Sequence, residues 1–245
     1  MRTILAILAA SIVWPVPAGS LAQSAPATPT AAEPTAGGLA TESRPVVGFD
    51  EVELRGIGTL VVAEGDAESL EIEAEPRVLR KISTEVQGGR LVIAPERSFR
   101  ARQPIVYRLT VDDLSAIELA GAARAEGSGV TAERLSVVAG GASEVFLDGL
   151  SAAVLYVAVA GTGTVEVAGE ADRQVVETEG TGTYIAGDLA SREAAVTAGG
   201  ASEATVRVSD VLAVEIGGAS RVAYLGAPRV SEQEISGVGE LVKVG

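Results

Sequence analysis

From Ile117 onward, apolar and polar side chains alternate in short bursts that restart at a glycine every 18 to 20 residues. Four positions before that glycine stand Ile117, Val137, Val157, Val176, Val196, Val214 and then Gln233; two before it stand Leu119, Ala139, Val159, Thr178, Ala198, Ile216 and Ile235. Four positions after it stand Ala125, Val145, Val165, Tyr184, Ala204, Val222 and Leu241. The interleaved positions are mostly polar, with Glu118, Glu177, Glu215 and Glu234 on one side and Arg124, Glu144, Glu203 and Arg221 on the other. Alternation with period two on both sides of the glycine predicts strand, turn, strand, because successive side chains along a strand face opposite ways. A helix would need a period of 3.6, which these runs do not supply.

The glycine opens a triplet of small residues: Gly121-Ala122-Ala123, Gly141-Ala142-Ser143, Gly161-Thr162-Gly163, Gly180-Thr181-Gly182, Gly200-Ala201-Ser202, Gly218-Ala219-Ser220 and Gly237-Val238-Gly239. A second turn follows about eight residues later, at Asp148-Gly149, Gly169, Gly187-Asp188 and Gly226. Repetition at so short a period is the mark of a solenoid. The predicted fold is therefore all-β, a parallel β-helix of 19–20-residue coils with two strands each, stacked so that the small triplets form one corner column. Glycine suits that corner because it accepts left-handed backbone angles without steric cost. The third triplet position stays Ala, Ser or Gly because the neighbouring coil's corner lies directly against it, so Ser143, Ser202 and Ser220 read as corner residues.

Ahead of the regular coils, residues 45–115 read as an irregular β part that completes the amino-terminal end of the solenoid and caps its open edge. Gly56-Ile57-Gly58 is an early copy of the triplet, with Val52 and Leu54 before it and Leu60 and Val62 after; Gly65-Asp66 supplies a return turn. Strands are expected over Leu70–Ala74, Val78–Val86, Leu91–Ile93 and Ile105–Val111, with Gln87-Gly88-Gly89 as a hairpin turn. Residues 116–245 form the regular coils, and 45–245 a single domain. Met1 to Ala22 reads as a secretory signal, with Arg2, the apolar run Ile4–Val13 and the small-x-small site Ser20-Leu21-Ala22. The apolar run is too short to span a bilayer. Residues 23–44, rich in Ala, Pro, Thr and Ser, read as a disordered tether.

The 33 acids against 19 bases give a net charge of −14. That balance argues against nucleic acid as a partner, and equally against an anionic membrane surface. There is no histidine and no cysteine, which removes the usual zinc ligands, the Ser-His-Asp triad, disulfides and a lipid-anchored cysteine together. No cofactor, metal or catalytic residue is expected. Asp112-Asp113 would face opposite sides of a strand and reads as a turn cap; Gly140–Val145 and Gly199–Ala204 lack the aspartate of calcium-binding repeats. Gly218-Ala219-Ser220 lacks both the closing glycine and the histidine of a nucleophile elbow. Arg97, Arg100 and Arg102 form the one basic cluster singled out in this acidic chain and are the candidate ligand contacts, suited to an acidic glycan.

The order Phe49-x-x-Val52, Gly56-x-Gly58, Gly65-Asp66, Leu70-x-Ile72-x-Ala74, Gly89-x-Leu91-x-Ile93, Ile105–Val111 and then repeated Gly-Ala/Thr-Ser/Gly triplets resembles the head GIN domain family of exported bacterial proteins, over 46–245. The resemblance implies a right-handed β-helix with tight turns at the triplets and an adhesive role, without catalytic residues. Because no translocator barrel follows Gly245, self-export is not expected. The expected function is thus a non-catalytic, exported cell-envelope or surface module, periplasmic or secreted, that contacts a surface glycan or an envelope protein. A polysaccharide lyase or hydrolase and a self-assembling homo-oligomer are the alternatives.

Overall fold

The alternating columns become one continuous parallel stack. The computed structural model describes residues 33–34 and 38–245; the expected signal sequence and most of the tether lie outside the described residues. In chain order these form β1 (Glu33–Pro34), β2 (Ala40–Arg44), β3 (Glu51–Glu64), β4 (Ser69–Ala74), α1 (Pro76–Leu79), β5 (Ile82–Gln87), β6 (Arg90–Pro95), β7 (Val106–Val111) and β8 (Ala116–Ser128). There follow β9 (Thr131–Gly141), β10 (Glu144–Gly161), β11 (Thr164–Gly180), β12 (Thr183–Ala198), β13 (Glu203–Ile216), β14 (Arg221–Leu225), β15 (Arg229–Ile235) and β16 (Glu240–Lys243). β10, β11, β12 and β13 pair in parallel with like columns in register, so that Val157 lies beside Val176, Val176 beside Val196 and Val196 beside Val214. Those residues and Val145, Val165, Tyr184, Ala204 and Val222 are buried. The fold is a β-solenoid with irregular amino-terminal strands.

The anchor glycines stand one upon another. Gly121, Gly141, Gly161, Gly180, Gly200, Gly218 and Gly237 all have positive φ. A β-carbon added to Gly161 would lie 2.6 Å from the carbonyl oxygen of Gly141, and one on Gly180 would lie 2.7 Å from that of Gly161. The same carbonyls accept hydrogen bonds from the next coil: Thr162 N–H donates to Gly141 O and Thr181 N–H to Gly161 O, each at 2.8 Å. The corner is therefore a backbone ladder running along the axis, and a side chain on the glycine would occupy the acceptor's place. The third triplet residues turn inward: Ser143, Ser202 and Ser220 are buried. Ser143 Oγ donates to Gly140 O at 2.7 Å, and Ser202 Oγ lies 2.9 Å from Thr178 Oγ1 and 3.3 Å from Ser220 Oγ.

Between the second turn and the next anchor strand, each regular coil adds a third short paired limb to the two strands that the pattern predicts. Leu150, Ser151 and Ala152 pair with Gly169, Glu170 and Ala171, and these with Leu189, Ala190 and Ser191. Burial then changes phase, from Ala152 to Leu155 and from Ala171 to Gln174, so the strand bends there. The change of phase turns Gln174 into the core. Tyr184 Oη donates to Gln174 Oε1 at 3.0 Å, Gln174 Nε2 donates to Ser191 Oγ at 2.8 Å, and Ser191 Oγ donates to the carbonyl of Arg207 at 2.7 Å. Every member is buried and partnered, the condition under which an internal polar group does not cost stability.

Burial pushes the phenols of Tyr107 and Tyr184 well above the usual tyrosine range. Only the neutral phenol suits the fold, so the contribution of each is intact below the ordinary value of 10.0 and lost as pH rises past it. In an alkaline titration these two phenols should ionise together with loss of the β circular-dichroism signal. Tyrosinate absorbance from all four tyrosines before any loss of fold would contradict this.

The amino-terminal part departs from chain order. β3 is itself a regular coil, stacked in parallel on β8 with Gly56 beside Gly121, so residues 51–64 extend the stack at its amino-terminal end. On its other side β3 pairs with β6 through its first half and with β7 through its second. β6 and β7 thus make one further coil, in which the triplet corner is replaced by the loop 96–105. Antiparallel strands close this end: β5 on β6, β4 on β7, β2 on β4 and β1 on β2.

Two expectations need correction. The strand expected over Val78–Val86 starts at Ile82; before it α1 opens with Pro76 at its first turn and drives the adjacent Val78 and Leu79 together into the core, which a strand cannot do with neighbouring residues. Ala40–Arg44, expected as part of the tether, is instead β2, with Ala40 buried and Arg44 Nη2 donating to Leu79 O at 3.0 Å.

Candidate interaction surface

The loop 96–105 takes its shape from the corner it replaces. Pro95 packs over Gly56, Thr59 N–H donates to Ile105 O at 2.9 Å, and Phe99 and Ala101 rest against the core. The residues between them are left facing outward, so Arg97, Arg100 and Arg102 are exposed. α1 lies alongside. Glu96 N–H donates to Lys81 O at 2.9 Å, Arg77 Nη2 to Arg100 O at 3.3 Å, and Arg102 N–H to Glu75 Oε2 at 2.9 Å. That N–H, and then the Arg77 guanidinium 3.1 Å away, hold the Glu75 carboxyl below the usual carboxylate range. With Val78 and Leu79 plugging the core, Arg77, Arg80 and Lys81 join the three loop arginines at one end of the solenoid.

The structure therefore brings Arg97, Arg100 and Arg102 together and adds three cations that the sequence reading missed. Their signal was present in Arg77, Arg80 and Lys81 behind Pro76; a strand there would have alternated them between faces. Residues 75–102 hold seven bases against three acids, whereas the remainder of the chain holds twelve against thirty. The acidic protein has a basic pole.

On the sides of the solenoid most arginines are neutralised, Arg134 and Arg229 excepted. Arg124 lies 2.6 Å from Glu126 and 2.8 Å from Glu144, with its guanidinium 4.0 Å over the Phe146 ring. Arg173, Arg192, Arg207 and Arg221 lie within 4.0 Å of Glu193, Asp210, Asp188 and Glu240. Next to the pole, Arg90 bridges Glu51 at 2.7 Å and Glu118 at 2.8 Å, while Arg55 pairs with the nearly buried Glu53. Hydrogen bonding from Arg55 holds the Glu53 carboxyl below its usual range. At the pole Arg80, Lys81, Arg97, Arg100 and Arg102 make no side-chain ion pair among the described residues and stand close together, whereas the other unpaired cations, Arg134, Arg229 and Lys243, lie each on a different strand. A cleft of about 170 Å³ between Arg55, Ile57, Pro95, Phe99 and Tyr107 opens beside them.

The other chemical candidates sit apart from this pole. Asp112 and Asp113 are exposed in the bend between β7 and the buried Leu114. Gly56, Gly58, Gly163, Gly182 and Gly239 lie on the corner column: an added β-carbon would meet Ser143 O at 2.9 Å on Gly163, Val159 Cγ1 at 2.6 Å on Gly182 and Tyr107 Cε2 at 2.7 Å on Gly58. Among the described residues no three acids converge as metal ligands.

A family model described as "Putative auto-transporter adhesin, head GIN domain" matches residues 48–228. The chain belongs to this family. Solved structures share the fold of this head GIN domain. One is described as a putative adhesin from Bacteroides fragilis, at 20% identity and TM-score 0.77, covering 84% of this chain and 97% of that one. Another, described as a putative adhesin from Parabacteroides merdae, has 16% identity and TM-score 0.65, covering 86% and 98%. A third, from Parabacteroides distasonis, is described as a putative lipid binding protein, with 21% identity, TM-score 0.64 and coverage of 86% and 98%. No curated protein matches the chain. Family membership and adhesin-named neighbours support a surface adhesin-like module.

Proposed function

We propose that this head GIN domain is an exported, non-catalytic binding module that engages a polyanionic surface partner through its basic pole. The observation that carries the proposal is the set of unneutralised cations at Arg80, Lys81, Arg97, Arg100 and Arg102 on a chain of net charge −14. Cations left without carboxylate partners are free to meet phosphates or carboxylates of a ligand. Acidic surface glycans and acidic envelope components are the partner class, and the lipid-binding description of one structural neighbour adds lipids to it. The non-catalytic reading is supported by the buried, hydrogen-bonded state of Ser143, Ser202 and Ser220. Export is supported by the signal-like Met1–Ala22 and by family membership. No helix of the described residues is long and apolar enough to cross a membrane.

Retention on an immobilised polyuronate at low salt tests the reading. The domain should bind, and R97Q/R100Q/R102Q should weaken binding at least ~10-fold, since each charge-assisted contact contributes about 1.5–3 kcal/mol before solvent screening. R134Q/R229Q/K243Q, which removes as much charge away from the pole, should bind as the unsubstituted domain does. Equal retention of both variants would sink the assignment, and glycan turnover would overturn the non-catalytic part.

A further inference from the structure

The polarity of the solenoid narrows the partner. β2 is followed outward only by β1 in the sheet order, and its first residue, Ala40, pairs with Ala74, two positions before α1. β1 and β2 therefore lie at the same end of the stack as α1. The cations at this pole come from two separate elements, α1 and the loop 96–105, and sit over the plugged end of the core, not along a lengthwise groove. The sides, by contrast, carry the acids. A linear acidic polysaccharide lying along the solenoid would meet Glu177, Glu215 and Glu234, exposed in one outward column. A flat anionic surface met end-on would touch the cations of α1 and the loop, with the exposed Glu71, Glu85 and Glu96 beside them and the acidic columns of the later coils at a distance.

Building on the polyanion reading above, we infer that the basic pole docks end-on to an anionic lipid bilayer surface, its cations meeting headgroup phosphates. The net charge of −14 would exclude such a surface only if the charge were spread evenly, and it is not. Over the distance within which surface potentials act, about 8–10 Å at physiological salt, the local balance decides, and the far coils lie outside it. Repulsion of those acidic coils adds orientation, holding the solenoid upright on its pole.

Co-sedimentation with vesicles tests this, using the chain without residues 1–22, whose apolar run would bind lipid by itself. Vesicles of phosphatidylglycerol and phosphatidylcholine in equal parts should bind the protein, and pure phosphatidylcholine should not. Binding should fall steeply with added salt. Each cation near such a surface contributes about a five-fold gain in affinity, so R80Q/K81Q should lose roughly 25-fold and R80Q/K81Q/R97Q/R100Q/R102Q more than 100-fold. R134Q/R229Q/K243Q should remain bound, and circular dichroism of each variant confirms the fold. No binding to the anionic vesicles, or equal binding of the pole and control variants, overturns the inference. Retention on polyuronate without vesicle binding overturns the lipid assignment alone and leaves the polyanion reading standing; loss of both removes both.

Discussion

Gly161→Val is expected to leave little or no folded protein, at a cost of about 4 kcal/mol or more. Two penalties combine. The backbone at Gly161 has a φ of +98°, which a β-branched residue adopts only with strain. The new β-carbon would also sit 2.6 Å from Gly141 O, an atom already accepting the Thr162 N–H. Neither the oxygen nor the β-carbon is the end of a flexible side chain, so nothing can rotate away, and the two coils must part. Gly129→Val separates the terms: its φ is +69° but nothing lies within 4 Å of the added atom, so only the backbone term of about 1–2 kcal/mol applies. Urea unfolding of the two variants side by side measures the difference. A Gly161→Val protein within about 1 kcal/mol of Gly129→Val would refute the ladder account.

The second large effect falls on the internal polar chain. Tyr184→Ala should destabilise by about 3–5 kcal/mol, because a fully buried ring is lost from a column that neighbouring coils hold rigid. Tyr184→Phe keeps the ring and removes only the donor to Gln174 Oε1, leaving a buried acceptor unsatisfied at about 1–3 kcal/mol. Adding Gln174→Leu to Tyr184→Phe should then cost less than the sum of the two single changes, since removing both partners leaves fewer orphaned groups. Strict additivity in denaturant unfolding would show that the hydroxyl and the amide are not coupled.

These two sites differ in how visible they were in the sequence. The corner column could be read directly, because a conformational demand repeated at nearly constant spacing leaves the same residue type in each coil. Gln174 could not. It sits four residues before Thr178 where other coils carry Leu135, Leu155 or Leu212, and its inward direction depends on the bend after Ala171. Alternation alone cannot announce a change of phase, and a polar residue in an otherwise apolar column gives no sign of its partner, Tyr184, on another limb.

The amino-terminal end was legible in pieces but not in arrangement. Gly56-Ile57-Gly58 identified β3 as a relative of the later coils, yet its neighbour β8 lies beyond a long excursion, and periodicity is silent about pairing across such an insertion. The candidate site suffered most. Arg97, Arg100 and Arg102 were found as a run, whereas Arg77, Arg80 and Lys81 joined them only once Pro76 and the adjacent Val78 and Leu79 made a helical plug out of an expected strand. Net charge misled for the same reason: a sum over 245 residues carries no information about where the charges sit.

The corner ladder has a consequence for reach. Since Gly161 and Gly180 present closely similar backbone contacts to their neighbours, duplicating Thr162–Gly180 inserts one more rung without disturbing those on either side. Each such copy extends the molecule by about 4.8 Å, so the distance at which it holds its far tip is a quantity that gene-level duplication can tune in fixed increments, independently of whatever the opposite end grips.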